Sequence, residues 1–311
     1  MQVTAVIPTY NRADLLSSLL PTLEGFSEIV VSDDGGSDDS AEVARRFGAR
    51  VVRSEVNLGF AATVNRGVAA ATSEWVAILN NDVRLRPGWL KAFETCDADF
   101  AVGKVVTRTG AIDGTFDLLA RSGCAWRAGA GREDGPLWNV KRSIRFAPMT
   151  AALFRRSLFA EVGPLDESFG SYLEDVDFGL RCALAGKRGE YVPNAVAVHE
   201  GSATLGKWSS DTVRLIARNQ VLLSRKHFGG QMLWPRLVGQ LLWGLVASRH
   251  GSLWAFLKGK YQGVTASTLS MNHSSAELRA VLEDCEREIL TLQRDIGYDR
   301  YWRLYFWLSR R

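Results

Sequence analysis

Short runs of β-branched or apolar residues recur at positions 4–7, 28–32, 50–53 and 75–79, and helical patterns separate them at 15–20, 40–47 and 60–71. Strand alternating with helix predicts an α/β fold: a mostly parallel, Rossmann-like sheet with helices on both faces. In such sheets ligands bind beyond the carboxyl ends of the strands, so the residues just after each run matter most. Here they are polar: Pro8-Thr9-Tyr10-Asn11-Arg12 after the first, Ser32-Asp33-Asp34-Gly35-Gly36-Ser37-Asp38-Asp39 after the second, and Asn80-Asn81-Asp82 after the fourth. Residues 110–146 lose the pattern in Gly-rich sequence with Trp126 and Trp138, which predicts a loop or lid. Residues 174–186 predict a helix whose acidic first turn (Glu174, Asp175, Asp177) suits the positive end of its dipole and which stops at Gly186. Further helices are expected over 212–228, 232–270 and 276–311, with breaks at Gly229-Gly230 and Pro235.

The expected division is an α/β domain over 1–211, which carries the polar strand-end loops, and a basic, Trp-rich helical region over 212–311. Net charge is +4 across 311 residues, but residues 212–311 hold 15 Lys/Arg against 7 Asp/Glu, which leaves 23 against 27 for the rest. Residues 212–270 contain eight Lys/Arg and no acid. Combined with Trp234, Trp243, Trp254 and Phe256, that stretch suits a membrane surface carrying anionic lipids, and its Leu and Trp content would equally serve a homo-oligomer. No nucleic-acid-binding module is recognisable. The longest dense apolar stretch, 237–247, is about half the roughly 20 residues a spanning helix needs. Four widely spaced cysteines without a CxxC pair read as buried thiols, and the N-terminus reads as a strand without a basic leader, so the expected location is cytoplasmic, at the inner face of the membrane.

A carboxylate about 4 Å from a phosphate oxygen is repelled by roughly 4 kcal/mol at an effective dielectric of 20. Asp33, Asp34, Asp38 and Asp82 therefore need a divalent cation between them and any phosphate, or they accept from base N–H and ribose hydroxyl groups instead. Asp38 has the further option of capping the helix near Ser40. No GxxxxGK[ST] is present, and the nearest approach to GxGxxG, at Gly129-Ala130-Gly131, follows no clear strand, which disfavours a P-loop ATPase or a dehydrogenase.

Six motifs in order, VIPTYNR (6–12), VVSDDGGSDDS (30–40), NLGFAATVNRG (57–67), AILNNDV (77–83), GPLDESFGSYLEDVDFGLR (163–181) and HEGSAT (199–204), resemble the family 2 inverting glycosyltransferases of GT-A fold, with their bacterial rhamnosyltransferase-like branch nearest. The resemblance covers about residues 3–228. It implies that Thr9 and Asp33 hold the nucleotide base with Tyr10 and Asp34 beside them, that Arg66 and Asn81 meet the diphosphate sugar, and that Asp82, as the last acid of a DxD motif, binds Mg²⁺ or Mn²⁺ with His199 as a further ligand. Asn80 and Asn81 depart from a strict DxD pattern, which leaves one carboxylate. Asp175 resembles the catalytic base, Glu174 its understudy, and Asp177 a residue orienting an acceptor hydroxyl or the backbone. Trp126 and Trp138 divide between stacking on an acceptor sugar and filling the core. The implied reaction moves L-rhamnose from dTDP-rhamnose to a lipid-linked or polysaccharide acceptor in cell-envelope glycan synthesis. A UDP-hexose donor, or a non-catalytic nucleotide- or sugar-binding scaffold, is the alternative.

Overall fold

A computed structural model describes residues 1–200, 208–268, 270, 271 and 273–309; Gly201 to Thr204 of the HEGSAT motif lie outside them. The strands are β1 (Val3–Thr9), β2 (Glu28–Asp33), β3 (Arg50–Arg53), β4 (Trp75–Leu79), β5 (Val83–Leu85), β6 (Phe100–Thr107), β7 (Ile112–Gly114), β8 (Asp117–Leu119), β9 (Ala125–Arg127), β10 (Arg142–Ile144), β11 (Ala151–Arg155) and β12 (Gly189–His199). The helices are α1 (Ala13–Leu19), α2 (Ser40–Arg46), α3 (Phe60–Ala70), α4 (Leu158–Glu161), α5 (Glu174–Leu184), α6 (Ser210–Leu223), α7 (Leu233–Arg249), α8 (Leu253–Thr265), α9 (Ser275–Ile296) and α10 (Arg300–Ser309). They form two compact units, Met1–Phe116 with Gly129–Gly201 and Asp117–Ala128 with Ser202–Arg311.

In the first unit the described strands form one sheet in the order β10-β12-β6-β11-β4-β1-β2-β3, with β5 beside β12 and β7 beside β6. The quarter-chain from β1 to β4 is parallel throughout, whereas β11 runs antiparallel to both its neighbours, β4 and β6. β4 is apolar at every position because both faces are covered, as a central strand of this kind requires. Val3, Ala5 and Ile7 of β1 pack with Leu16, Leu19 and Ala44 of α1 and α2 on one face. On the other face α3 lies so close that a Cβ on Gly67 would stand 2.4 Å from Val6 Cγ1. Helices on both faces are thus present as expected. Farther along, the β6–β12 ladder shifts register between Tyr191 and Val196, and a Cβ on Gly103 would meet the Ala195 carbonyl oxygen at 1.9 Å, so only glycine allows that bulge.

The stretch 110–146 is not an irregular lid: it supplies β7, β8, β9 and β10. Its residues 117–128 belong to the second unit with the C-terminal helices. There Arg121 donates from its backbone N–H (2.9 Å) and Nε (2.8 Å) to Glu286 on α9, whose Oε1 also accepts from Tyr305 on α10 at 2.6 Å. Pro235 does not break the chain but sits in the first turn of α7, where its missing N–H costs nothing. Gly297, at φ 85°, separates α9 from α10 within the stretch expected as one helix.

Candidate active site

The ends of β1, β2 and β4 are tied together. Asn81 Nδ2 donates to Thr9 Oγ1 at 3.0 Å, and the Asp34 N–H donates to the Thr9 carbonyl at 2.9 Å. Asn11, in the left-handed region at φ 51°, accepts from the Ser37 N–H at 2.6 Å and so closes the β1 loop on the β2 loop. Thr9 is buried, and Tyr10 beside it is exposed.

Asp33, which ends β2, and Asp34 and Asp38 in the loop beyond it do different work. Asp33 Oδ1 accepts from the Gly36 N–H at 2.9 Å, while its buried Oδ2 has no hydrogen bond and only the Arg53 Nε at 3.4 Å. Asp34 accepts from the Leu58 and Gly59 N–H groups, both at 2.9 Å, so its carboxylate shapes the loop that enters α3. Asp38 accepts from the Ala13 N–H at 2.8 Å and the Ser40 N–H at 3.1 Å, which caps α1 and α2 at once. Burial pushes its pKa up, but these hydrogen bonds outweigh it and hold the acid below the usual range.

Sheet pairing explains the next group. β5 runs antiparallel to β12 with Val83 opposite His199, so Asp82, one residue earlier, comes alongside the histidine. β12 runs parallel to β6 with His199 opposite Thr107, and the β6–β7 hairpin, pairing Val106 with Ile112, carries Asp113 to the other side of the ring. His199 Nε2 lies 3.1 Å from Asp82 Oδ2 and Nδ1 lies 3.0 Å from Asp113 Oδ2. Burial alone would lower the His199 pKa, but the two carboxylates raise it to about 9, so the ring is protonated at neutral pH and donates to both. Sequence reasoning missed Asp113, which lies in the Gly-rich stretch; Ile112-Asp113-Gly114 is too short a run to announce a strand.

α5 begins after an unusual backbone. Gly170, Tyr172 and Leu173 all have positive φ (68°, 72° and 67°), and two of them are not glycine. Glu174 is buried, and Asp175, half-buried, accepts from the Val176 N–H at 2.8 Å. Asp177 was expected to orient an acceptor hydroxyl or the backbone. It is wholly buried and does the second: it binds Arg181 at 3.0 Å, and Arg181 donates to the Val162, Gly163 and Pro164 carbonyls. Asn65 of α3 holds the same stretch by donating to the Leu165 carbonyl and accepting from its N–H, each at 2.9 Å. The Ala61 N–H donates to the Gly170 carbonyl at 2.9 Å. Through these bonds the loop that Asp34 shapes is continuous with the turn that presents Asp175.

For Trp138 the acceptor-stacking expectation is corrected in favour of core filling. Trp138 is 2% exposed, lies against Gly129 and offers no face to a sugar; its carbonyl accepts from Tyr191 Oη at 2.7 Å. Trp126 belongs to the second unit and meets Trp302 edge-on, with ring centroids 6.5 Å apart.

Buried polar atoms are almost always paired, and each that is not costs about 1–3 kcal/mol. At the ends of β2 and β4, Asp33 Oδ2, Asn80 Oδ1 and Asp82 Oδ1 are buried without a hydrogen-bond partner, as is Arg66 Nη1 on α3. Among the described residues no three His, Cys, Asp or Glu side chains form a complete metal cage. The free oxygens of Asp82 and Asn80 are nevertheless hard donors suited to Mg²⁺ or Mn²⁺ when a ligand's oxygens complete the shell.

The family model described as glycosyl transferase family 2 matches residues 4–163, and that described as glycosyl transferase family group 2 matches residues 141–279. The chain is 32% identical over 211 residues to the pre-mycofactocin glycosyltransferase of Mycobacterium tuberculosis, covering 66% of this chain but only 44% of that protein. It is 28% identical over 249 residues to the N-acetylglucosaminyl-diphospho-decaprenol L-rhamnosyltransferase of the same species, covering 66% of this chain and 79% of that one. The structure is similar to that of GalNAc-T7 with UDP, GalNAc and Mn²⁺, at a TM-score of 0.62 and 13% identity, over 96% of this chain and 58% of that one. That likeness identifies the fold as GT-A. With the model matched over just more than half its length, the chain belongs to glycosyl transferase family 2.

Proposed function

We propose that the rim of β1, β2, β4 and β12 binds a nucleotide-diphosphate sugar and that the protein is an inverting glycosyltransferase. The observation that carries this reading is the set of buried polar atoms without a hydrogen bond on Asp33, Arg66, Asn80 and Asp82. A nucleotide sugar offers the complementary groups. Asp33 Oδ2 accepts from the base, with Thr9 and the exposed Tyr10 ring beside it, while Asp34 fixes the adjoining loop. Arg66 Nη1 donates to the diphosphate, and Asn81 keeps the β4 turn locked to Thr9. Asp82, Asn80 and, once deprotonated, His199 would hold Mg²⁺ or Mn²⁺, with Asp113 fixing the imidazole's orientation. A bound cation supplies positive charge against the departing diphosphate.

Asp175 takes the proton from the acceptor hydroxyl as that oxygen attacks the anomeric carbon. The bond from that carbon to the diphosphate oxygen breaks, its electron pair leaves with the nucleoside diphosphate, and the configuration inverts. Glu174 extends the negative field at the α5 start, and Asp177 positions the turn through Arg181. L-Rhamnose from dTDP-rhamnose is the preferred donor and a lipid-linked glycan the preferred acceptor, a choice supported by the rhamnosyltransferase relative. The Mn²⁺ in the GalNAc-T7 structure supports the metal.

Melting curves with UDP, dTDP and GDP, each with and without Mn²⁺, test this reading, since a ligand bound only by the native state raises the transition. A dTDP-specific rise, followed by release of dTDP from dTDP-rhamnose in the presence of a polyprenyl-diphosphate acceptor, is the expected result. A rise with UDP alone points to a UDP-hexose donor, and no rise with any nucleotide overturns the proposal.

A further inference from the structure

The second unit turns an apolar surface outward. Along α7 the positions that face out are Leu233, Leu237, Leu241 and Leu245, the last 67% exposed, and the outward face carries no charge before Arg249. The inward positions are also apolar or small: Pro235, Val238, Gly239, Leu242, Gly244 and Ala247. A helix apolar all round is normally covered on every side. α8 repeats the arrangement. A Cβ on Gly259 or Gly263 would stand 2.2 Å or 2.6 Å from the Arg214 or Arg218 carbonyl oxygen of α6, so α8 lies directly on the α6 backbone along that side. Its opposite side presents Trp254 (82% exposed), Leu257, Tyr261 (71% exposed) and Val264, with Lys258 among them.

We infer that the outward faces of α7 and α8 dock on an anionic lipid surface. Contiguous exposed apolar area of this kind marks an interaction site. Charge selects the partner: the exposed charged residues of the two helices, Arg249 and Lys258, are both basic, and residues 233–265 contain no Asp or Glu. A second copy of the chain would set like charge against like, whereas an anionic headgroup layer complements it. Exposed Trp and Tyr beside Leu, with Lys and Arg at the margin, are the composition of a helix lying in the headgroup region. Among the described residues no helix is long and apolar enough to cross a membrane, so the contact is with one face of the bilayer. This inference goes beyond the glycosyltransferase reading and stands independently of it.

Flotation of the full chain with vesicles of phosphatidylcholine alone, and of phosphatidylcholine mixed with phosphatidylglycerol, tests it. The expected result is binding to the mixed vesicles that weakens as salt rises, with neutral vesicles bound at least about tenfold more weakly. R249Q/K258Q should lower affinity for the mixed vesicles about 25-fold, at about fivefold per basic residue. L241Q/L245Q should abolish binding. Both pairs lie at exposed positions, so an unchanged melting temperature verifies the fold of each variant. Failure to float with either vesicle, equal binding to both, or a dimer in light scattering that L241Q/L245Q dissolves would overturn the inference.

Discussion

Asp113 Oδ2 stands 3.0 Å from His199 Nδ1, opposite the Asp82 carboxylate at 3.1 Å from Nε2, so the imidazole is clamped between an acid of β7 and an acid of the turn before β5. The pairing makes charge on His199 part of the fold. Its pKa, about 9 against an ordinary 6.5, means that the stabilisation is complete below pH 6.5 and is lost as pH rises through 9. In metal-free protein held with a chelator, urea unfolding should therefore give about 3 kcal/mol less stability at pH 9.5 than at pH 6 from this site. Asp113→Asn should remove much of that slope and bring the His199 titration, followed by NMR of the ring nitrogens, back toward neutrality.

Asp34 is a loop-shaping residue, since both its oxygens accept from backbone N–H groups before α3. Asp34→Ala leaves those donors without an acceptor in a buried setting. The expected cost is about 2–3 kcal/mol in a denaturant titration, accompanied by weaker nucleotide binding because the same loop abuts Gly170.

Arg181→Met should be more damaging. It leaves the wholly buried Asp177 without its counter-charge and frees the Val162, Gly163 and Pro164 carbonyls. Breaking a buried pair on one side costs about 3–5 kcal/mol, which should appear as a large drop in the urea midpoint. The double variant with Asp177→Leu should recover a substantial part of it.

Asp175→Asn separates chemistry from binding. With Asp175 as the base, sugar transfer should fall by about 10²- to 10⁴-fold while the nucleotide-induced rise in melting temperature is kept. Transfer at the wild-type rate in a folded variant would assign the proton to another group.

The four strand runs from Val3 to Leu79 were legible in the sequence because each is a local apolar run ending in polar turn residues, and all four form within a few residues of the expected positions. The acids after β2 and β4 were legible as a group for the same reason. Their separate duties were not, because whether an acid accepts from a distant loop, as Asp34 does from Leu58, depends on contacts between segments that periodicity does not encode. Asp113 was hidden similarly: its neighbour His199 lies 86 residues away and is reached only through the β6–β7 and β6–β12 ladders. The lid expected over 110–146 failed because three-residue strands surrounded by glycine carry almost no periodic signal, although they pair well once a sheet edge is present.

The left-handed backbone at Tyr172 and Leu173 gives Asp175, the proposed base, a different mechanical footing from Thr9 and Asp33. A side-chain-bearing residue there costs roughly 1–2 kcal/mol, so the turn before Asp175 is a loaded spring kept wound by Asn65, Arg181 and the α3 entry. Thr9 and Asp33 instead end ordinary strands and pair with each other across the β1–β2 ladder. Under the roles proposed above, the strained backbone of the rim therefore lies under Asp175 and not under Thr9 or Asp33.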